Sequence, residues 1–206
     1  MNASVVINTC ALTVHTAHLS SGLVPYSERV WLLRNVLLPL YTAWCPMFEE
    51  VVVVGEWEPG PGYTYVPCPS VTHTCTDALL QRQMGYDALQ RKAVPWVIFQ
   101  HDDHLWDARN LIDAREASEV LSPARYVQRE QQTALNDGWA KGHINGHVTV
   151  MRSALLARGR FRWTDIAPVF TWDKDVTAKL AAEDVRVRYA PELVTWDLER
   201  GAEPWR

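Results

Sequence analysis

Three short apolar runs constrain this chain more than any other feature: SVVINTC (4–10), EEVVVVGEW (49–57) and AVPWVIF (93–99). They are rich in β-branched residues and lack polar alternation. Each therefore predicts a strand buried on both faces, as in parallel sheets covered by helices on either side. The intervening segments carry helical spacing. YSERVWLLRNVLLPLY (26–41) aligns Val30, Leu33, Val36, Leu37 and Leu40, with Ser27 placed as N-cap and Pro39 expected to end or bend the helix. TDALLQRQMGYDALQRK (76–92) begins acidic and ends basic, the order that suits a helix dipole. Before it, EPGPG predicts a turn and YTYVPCP a short third strand. The expectation is an α/β fold: one Rossmann-like domain with a mostly parallel central sheet and helices on both faces.

The remainder is read as part of that domain. Residues 107–141 are polar and rich in Arg and Gln, with a possible strand at ARYVQRE. GHINGHVTVMRSALLARG predicts a loop, a short strand and a helix ending at Gly159. TWDKDVTAKLAAEDV predicts a helix with Asp173 and Asp175 in its first turn, and VRVRYAPELVTWDL a half-exposed strand. No repeat and no linker interrupts the 206 residues, a length that suits one domain with a sizeable core.

Composition removes several classes. Hydrophobic residues at 48% and charged residues at 21% are globular values, not those of a disordered chain. A net charge of -4 opposes a broadly basic surface for gripping nucleic acid, although a local basic patch stays open. No run approaches the roughly 18 apolar residues of a membrane span. MNASVVINTC lacks the basic start and apolar core of a signal peptide, so a soluble, cytoplasmic chain is expected, or one in the host cytoplasm if viral. Cys10, Cys45, Cys68 and Cys75 form no CxxC pair and read as buried thiols. A zinc site from Cys68, His73 and Cys75 lacks the second paired cluster such sites require. HTAH (15–18) has ligand-like spacing and no support nearby. Ten tryptophans serve as core and pocket walls, with a few available to stack on a sugar or base.

In sheets of this kind ligands collect at the carboxyl ends of strands. Thr9, Glu56 and the pair Asp102–Asp103 fall at three such ends. Adjacent carboxylates repel unless water, a cation or a donor offsets them. A hard divalent ion does so with oxygen ligands. The plain alternative is a solvated acidic turn. His104 is a further candidate ligand, and a surface histidine is the alternative reading of it. His101 is expected on the opposite face. His143 and His147, in KGHINGHV, lie where a loop could complete a metal site. Thr9 and Glu56 suit hydrogen bonds to a base or ribose, or simple loop capping. Arg82 suits a diphosphate or the acidic loop, or a plain helix surface.

The order of these pieces resembles the GT-A-fold glycosyltransferases, especially the inverting family 2 group. Arg82, Gln83 and Gly85 match that group's Arg-Asn-x-Gly, with Gln for Asn. Val97–Phe99 match its strand, and Asp102 with Asp103 its acidic element. VVINT and VVVVGE look like its first two strands, and GHVTVMRSALLARGRF like the segment before its acceptor loop. TWDKDVTAKL resembles the stretch that supplies its catalytic base. Two departures stand out. Gln100 falls where an Asp-x-Asp would begin, which favours the adjacent-pair frame, and Trp172 replaces the glutamate of the base motif.

The resemblance implies a GT-A domain whose residues 1–106 bind a nucleotide-sugar, a UDP-sugar being expected, and whose residues 107–206 bind an acceptor. It implies Mn²⁺ or Mg²⁺ on Asp103, assisted by Asp102 and His104. Thr9, Glu56, Arg82 and Asp102 would contact the donor. Asp173 would take the proton of the acceptor hydroxyl, whereas helix capping is its other reading and the one preferred for Asp175. The acceptor is a small molecule, a glycan or a hydroxymethylated base in viral DNA. For DNA, the arginines of REASEVLSPARYVQRE and MRSALLARGRFRW, with Trp163, would follow the backbone. Sugar nucleotidyl transfer and silent nucleotide-sugar or glycan binding are the competing classes. The first would want basic residues after strand one, and NTCALTVHTAHLSSG has neither Arg nor Lys. Oligomeric state is not encoded legibly.

Overall fold

A computed structural model describes residues 3–9, 31, 33–44, 48–56, 58–68, 75–90, 94–102, 104–106, 112–113, 115–127, 133–135, 142–144, 146, 148–167 and 172–197. Ser27, Val30, Cys10, Cys45, His15, His18, His73, Asp103 and His147 lie outside these residues.

The three apolar runs form strands β1 (Ala3–Asn8), β2 (Phe48–Gly55) and β4 (Trp96–His101), with β3 (Thr64–Pro67) between the last two. They pair in parallel in the order β3-β2-β1-β4. Their side chains divide by parity, as a pleated strand demands. Val5, Ile7 and Ile98 face helix α1, and Val6, Val97 and Phe99 face helix α2 (Cys75–Ala88). Burial on both faces explains the unbroken apolar runs.

Helix α1 contains a π-helical turn, Leu33–Leu37, and continues as an α-helix, Leu38–Trp44. Leu33, Val36 and Leu37 are buried as their spacing predicts. Of the two outcomes expected at Pro39, ending the helix does not occur, since the helix runs on to Trp44. Pro39 stands within the first turn of the α-helical part, just after the wider π turn. A proline there removes a donor from a position where the regular ladder is already interrupted.

Helix α2 approaches the sheet closely because residue 85 is glycine. A Cβ there would overlap Val6 Cγ1 and lie 2.9 Å from Val54 Cγ2. Gly55, at φ 142°, is a second requirement: a Cβ would run into the Thr9 hydroxyl. The carboxyl ends of β1 and β2 therefore meet without an intervening side chain.

The sheet continues past β4 in mixed directions. β5 (His104–Trp106), β6 (Val120–Val127), β7 (Thr133–Leu135), β8 (Val148–Arg152) and β9 (Val187–Asp197) extend it. Strand β8 is antiparallel to β4 and β6, while β6 and β9 are parallel and β9 carries β5 at the far edge. Helix α3 (Ser153–Ala157), a 3₁₀ turn (Trp163–Asp165) and helix α4 (Trp172–Ala182) follow β8. Phe161, Trp163, Trp172, Val176 and Leu180 join the core on the α2 side. Helices thus cover both faces of one sheet. Among the described residues no helix is long and apolar enough to cross a membrane.

Candidate active site

Strand order reverses at β1, which has β2 on one side and β4 on the other, and such a switch point opens a crevice at the carboxyl ends. Asn8 and His101 are register partners there, each the last residue of its strand. Their side chains meet, Asn8 Nδ2 standing 3.2 Å from His101 Nδ1. Asn8 Oδ1 accepts from Arg82 Nε at 3.4 Å. Arginine only donates, so the Asn8 oxygen must face it and its NH₂ must face the histidine. His101 Nδ1 then accepts, and the proton of the neutral ring sits on Nε2.

Arg82 is fully buried. Its Nη2 donates to the Gly146 carbonyl at 2.7 Å, and its Cζ lies 4.7 Å from the Trp163 ring centroid and 5.0 Å from that of Trp172. Burial lowers its pKa to about 9, so it stays charged at neutral pH. The aromatic quadrupoles and the two acceptors offset the cost of that buried charge. The plain helix-surface reading of Arg82 is thereby corrected: Gly85 brings α2 against the sheet, and the turn before it goes under cover.

Asp102 follows β4 directly and is 1% exposed. The turn that carries it is braced from below. Gln100 Nε2 donates to the His104 carbonyl at 2.7 Å, its Oε1 accepts from the Tyr41 hydroxyl, and Tyr41 in turn accepts from the Trp106 N–H at 3.2 Å. Gln100, where an Asp-x-Asp would begin, therefore ties the end of β4 to β5 and helix α1. His104 is buried in β5, register partner of Asp197.

Thr9 is buried, with its N–H (2.8 Å) and hydroxyl (3.2 Å) both directed at the Val54 carbonyl. That arrangement is the capping role. Glu56 follows β2 half-buried, next to the same junction. Asp173 is half-buried in the first turn of α4. A Cβ at Gly146 would lie 3.2 Å from the Trp172 ring and 3.8 Å from Asp173 Cβ, so loop and helix touch. The Ile144 N–H donates to Thr177 Oγ1 at 3.0 Å, and that hydroxyl donates to the Asp173 carbonyl at 2.8 Å. His143 is half-buried in the same loop.

Contacts therefore run without a break from His101, beside the acidic turn, through Asn8, Arg82 and Gly146 to Trp172 and Asp173. Sequence reasoning set His101 aside and did not single out Asn8, although a polar residue ending an unbroken apolar run is a visible signal. For a DNA acceptor it also placed Trp163 with the arginines that would follow the backbone. Trp163 is fully buried, packed edge-on against Phe99 (5.0 Å), Phe161 (5.1 Å) and Trp172 (6.1 Å). Of the arginines assigned to DNA, Arg160 pairs with Glu119 at 2.7 Å and Arg152 stacks on Trp96 at 4.1 Å, while Arg158 and Arg162 are exposed.

Oxygen ligands are what Mg²⁺ and Mn²⁺ take, and the Asp102 carboxylate is a group of that kind, buried just past the end of β4. Among the described residues no three His, Cys, Asp or Glu side chains gather in a way that could hold a metal ion.

No family model matches the chain, and no curated protein matches it in sequence. Solved structures do. The catalytic domain of Drosophila β1,4-galactosyltransferase 7 superposes with TM-score 0.54 at 9% identity, over 93% of this chain and 66% of that one. The inositol-1-phosphate CTP transferase of T. maritima gives 0.55 at 11%, over 98% and 90%. A glycosyltransferase involved in glycosylating the PBCV-1 major capsid gives 0.50 at 10%, over 92% and 81%. This chain spans slightly under two-thirds of the galactosyltransferase. The fold is of the GT-A type.

Proposed function

We propose that the chain is an inverting, metal-dependent glycosyltransferase that moves a sugar from a nucleotide-sugar, a UDP-sugar by preference, to a hydroxyl acceptor. The observation that carries this is the contact chain from the acidic turn to Asp173. It links a site for a charged donor to a carboxylate on the other side of the crevice. A galactosyltransferase of the same fold was solved with manganese, UDP-Gal and xylobiose, which supports the donor class.

Asp102 and Asp103 would hold the cation, which supplies charge neutralisation for the departing diphosphate. The His101 Nε2–H is a donor suited to a phosphate oxygen. Asp173 accepts the proton of the acceptor hydroxyl as its oxygen bonds to the anomeric carbon. The bond from that carbon to the phosphate oxygen breaks, and its electron pair leaves with the nucleoside diphosphate. One displacement on the face opposite the leaving group inverts the centre. A hydroxymethylated base in DNA is one acceptor to test, on the strength of Arg158 and Arg162, beside glycan and small-molecule hydroxyls.

The test is a panel of nucleotide sugars with Mn²⁺ or Mg²⁺, read by thermal shift and by slow donor hydrolysis. Stabilisation by one donor, abolished by EDTA, is the expected result. A flat response across the panel overturns the reading and favours a silent binding module. Nucleotidyl transfer is the second reading, favoured by the T. maritima CTP transferase covering 98% of this chain. It predicts pyrophosphate release from a nucleoside triphosphate and a sugar phosphate, instead of nucleoside diphosphate release from a nucleotide-sugar.

A further inference from the structure

We infer that Arg82 governs transfer by position, tying the loop at Gly146 and the first turn of α4 to the end of β1, and does not serve as a ligand of the donor phosphates. This rests on the reading of Asp173 as the base.

Three observations carry it. The guanidinium is fully buried, and its Nε and Nη2 are engaged by Asn8 and Gly146, residues far apart in sequence on either side of the crevice. Two indoles lie against it, one of them Trp172, the residue immediately before Asp173. Gly146 itself is seated on the Trp172 ring and beside Asp173 Cβ, at 3.2 and 3.8 Å from a Cβ placed on it. A shift of the guanidinium therefore moves both the loop and the helix turn that carries the carboxylate. Misplacement of a catalytic group by about 1 Å costs on the order of a hundredfold in rate. Lysine cannot substitute, since it has neither the planar fork nor the stacking face.

The experiment compares Arg82→Lys and Arg82→Met with the parent chain, after thermal denaturation confirms cooperative folding. Binding of UDP with Mn²⁺ is measured by calorimetry. Hydrolysis of the nucleotide-sugar that stabilises the parent is measured without acceptor, and transfer with it. Backbone hydrogen exchange is followed at Ile144 and in the first turn of α4. The expected result is a UDP dissociation constant and donor hydrolysis within about threefold of the parent. Transfer falls about ten- to a hundredfold, and exchange at Ile144 accelerates. A drop in UDP affinity that parallels the loss of transfer would make Arg82 a phosphate ligand and overturn the inference. Unchanged transfer, or unchanged exchange at Ile144, would overturn it as well.

Should both variants fail to fold, Gly146→Ala tests the same linkage. It presses on Trp172 and leaves Arg82 in place, and the same separation of transfer from UDP binding is expected. Asp173→Asn keeps the two readings apart. If it transfers normally, the base assignment fails, while Ile144 exchange in Arg82→Met still reports whether the guanidinium holds the loop.

Discussion

The β1–β4 region and the β5–β9 region share one sheet and are built by different means. In the first, four strands run parallel, β1, β4 and the end of β2 are buried on both faces, and α2 reaches the sheet through a glycine. In the second, directions mix and polar pairs hold the periphery: Arg160 with Glu119, and Arg188 with Glu116 at 2.6 Å and with Glu192. Both regions contribute buried residues to the two apolar cores, while the residue assigned to proton transfer stands beyond the β4–β8 seam. The difference teaches that a strand buried on both faces is placed by apolar packing, while the polar residues at the strand ends are held by directional contacts.

Substitutions can break that contrast. Asp173→Asn should lower transfer by roughly 10²- to 10⁴-fold with UDP–Mn²⁺ binding retained. Asp102→Asn should lose both, as calorimetry and a transfer assay would separate. If Asp173→Asn also lost nucleotide binding, the two regions would not divide the labour. Gly85→Ala should cost about 1–3 kcal/mol through overpacking against Val6 and Val54, measured by urea unfolding. A neutral result would mean that α2 can slide, and that Arg82 is less firmly placed than its contacts indicate.

Gln81→Leu should act in the opposite direction. The Gln81 amide is fully buried, and among the described residues neither of its polar atoms has a hydrogen-bond partner. An apolar side chain of similar size should gain about 1 kcal/mol. Destabilisation would point to an ordered water on that amide. The smallest effect is at the periphery. Burial raises the pKa of Glu116, but the Ser118 N–H and Arg188 more than offset this and hold it below its ordinary 4.5. The stability it contributes is thus complete above that ordinary value and lost as pH falls through the lowered one. Glu116→Gln should cost no more than about 1 kcal/mol at pH 7. Its unfolding curve should converge with the parent's in acid.

What was legible in the sequence follows the same division. Val5 to Ile7, Val52 to Val54 and Val97 to Phe99 are buried on both sides, so the pattern left little choice of structure, and the helices between them were fixed by spacing. Gly85 and Arg82 were visible as a motif, but burial of the arginine depends on Gly146, Trp163 and Trp172, all at least 60 residues away. No local pattern encodes that enclosure. Trp163 reads equally well as a stacking platform or a core residue, and only its contacts with Phe99, Phe161 and Trp172 decide. The π turn before Pro39 has no sequence signature beyond the proline itself. Asn8 was legible in principle, as the one polar side chain that ends the first apolar run.

The side-chain bonds that tie the end of β4 to β5 have a consequence for selectivity. Tyr41 and Gln100 tie the end of β4 to β5 through side-chain bonds, so on the proposed reading a cation would meet a carboxylate carried on a braced backbone. Discrimination among cations should then follow ionic radius more than flexibility, and loosening the brace with Tyr41→Phe should make the protein more tolerant of larger ions, with nothing in the acidic pair itself altered.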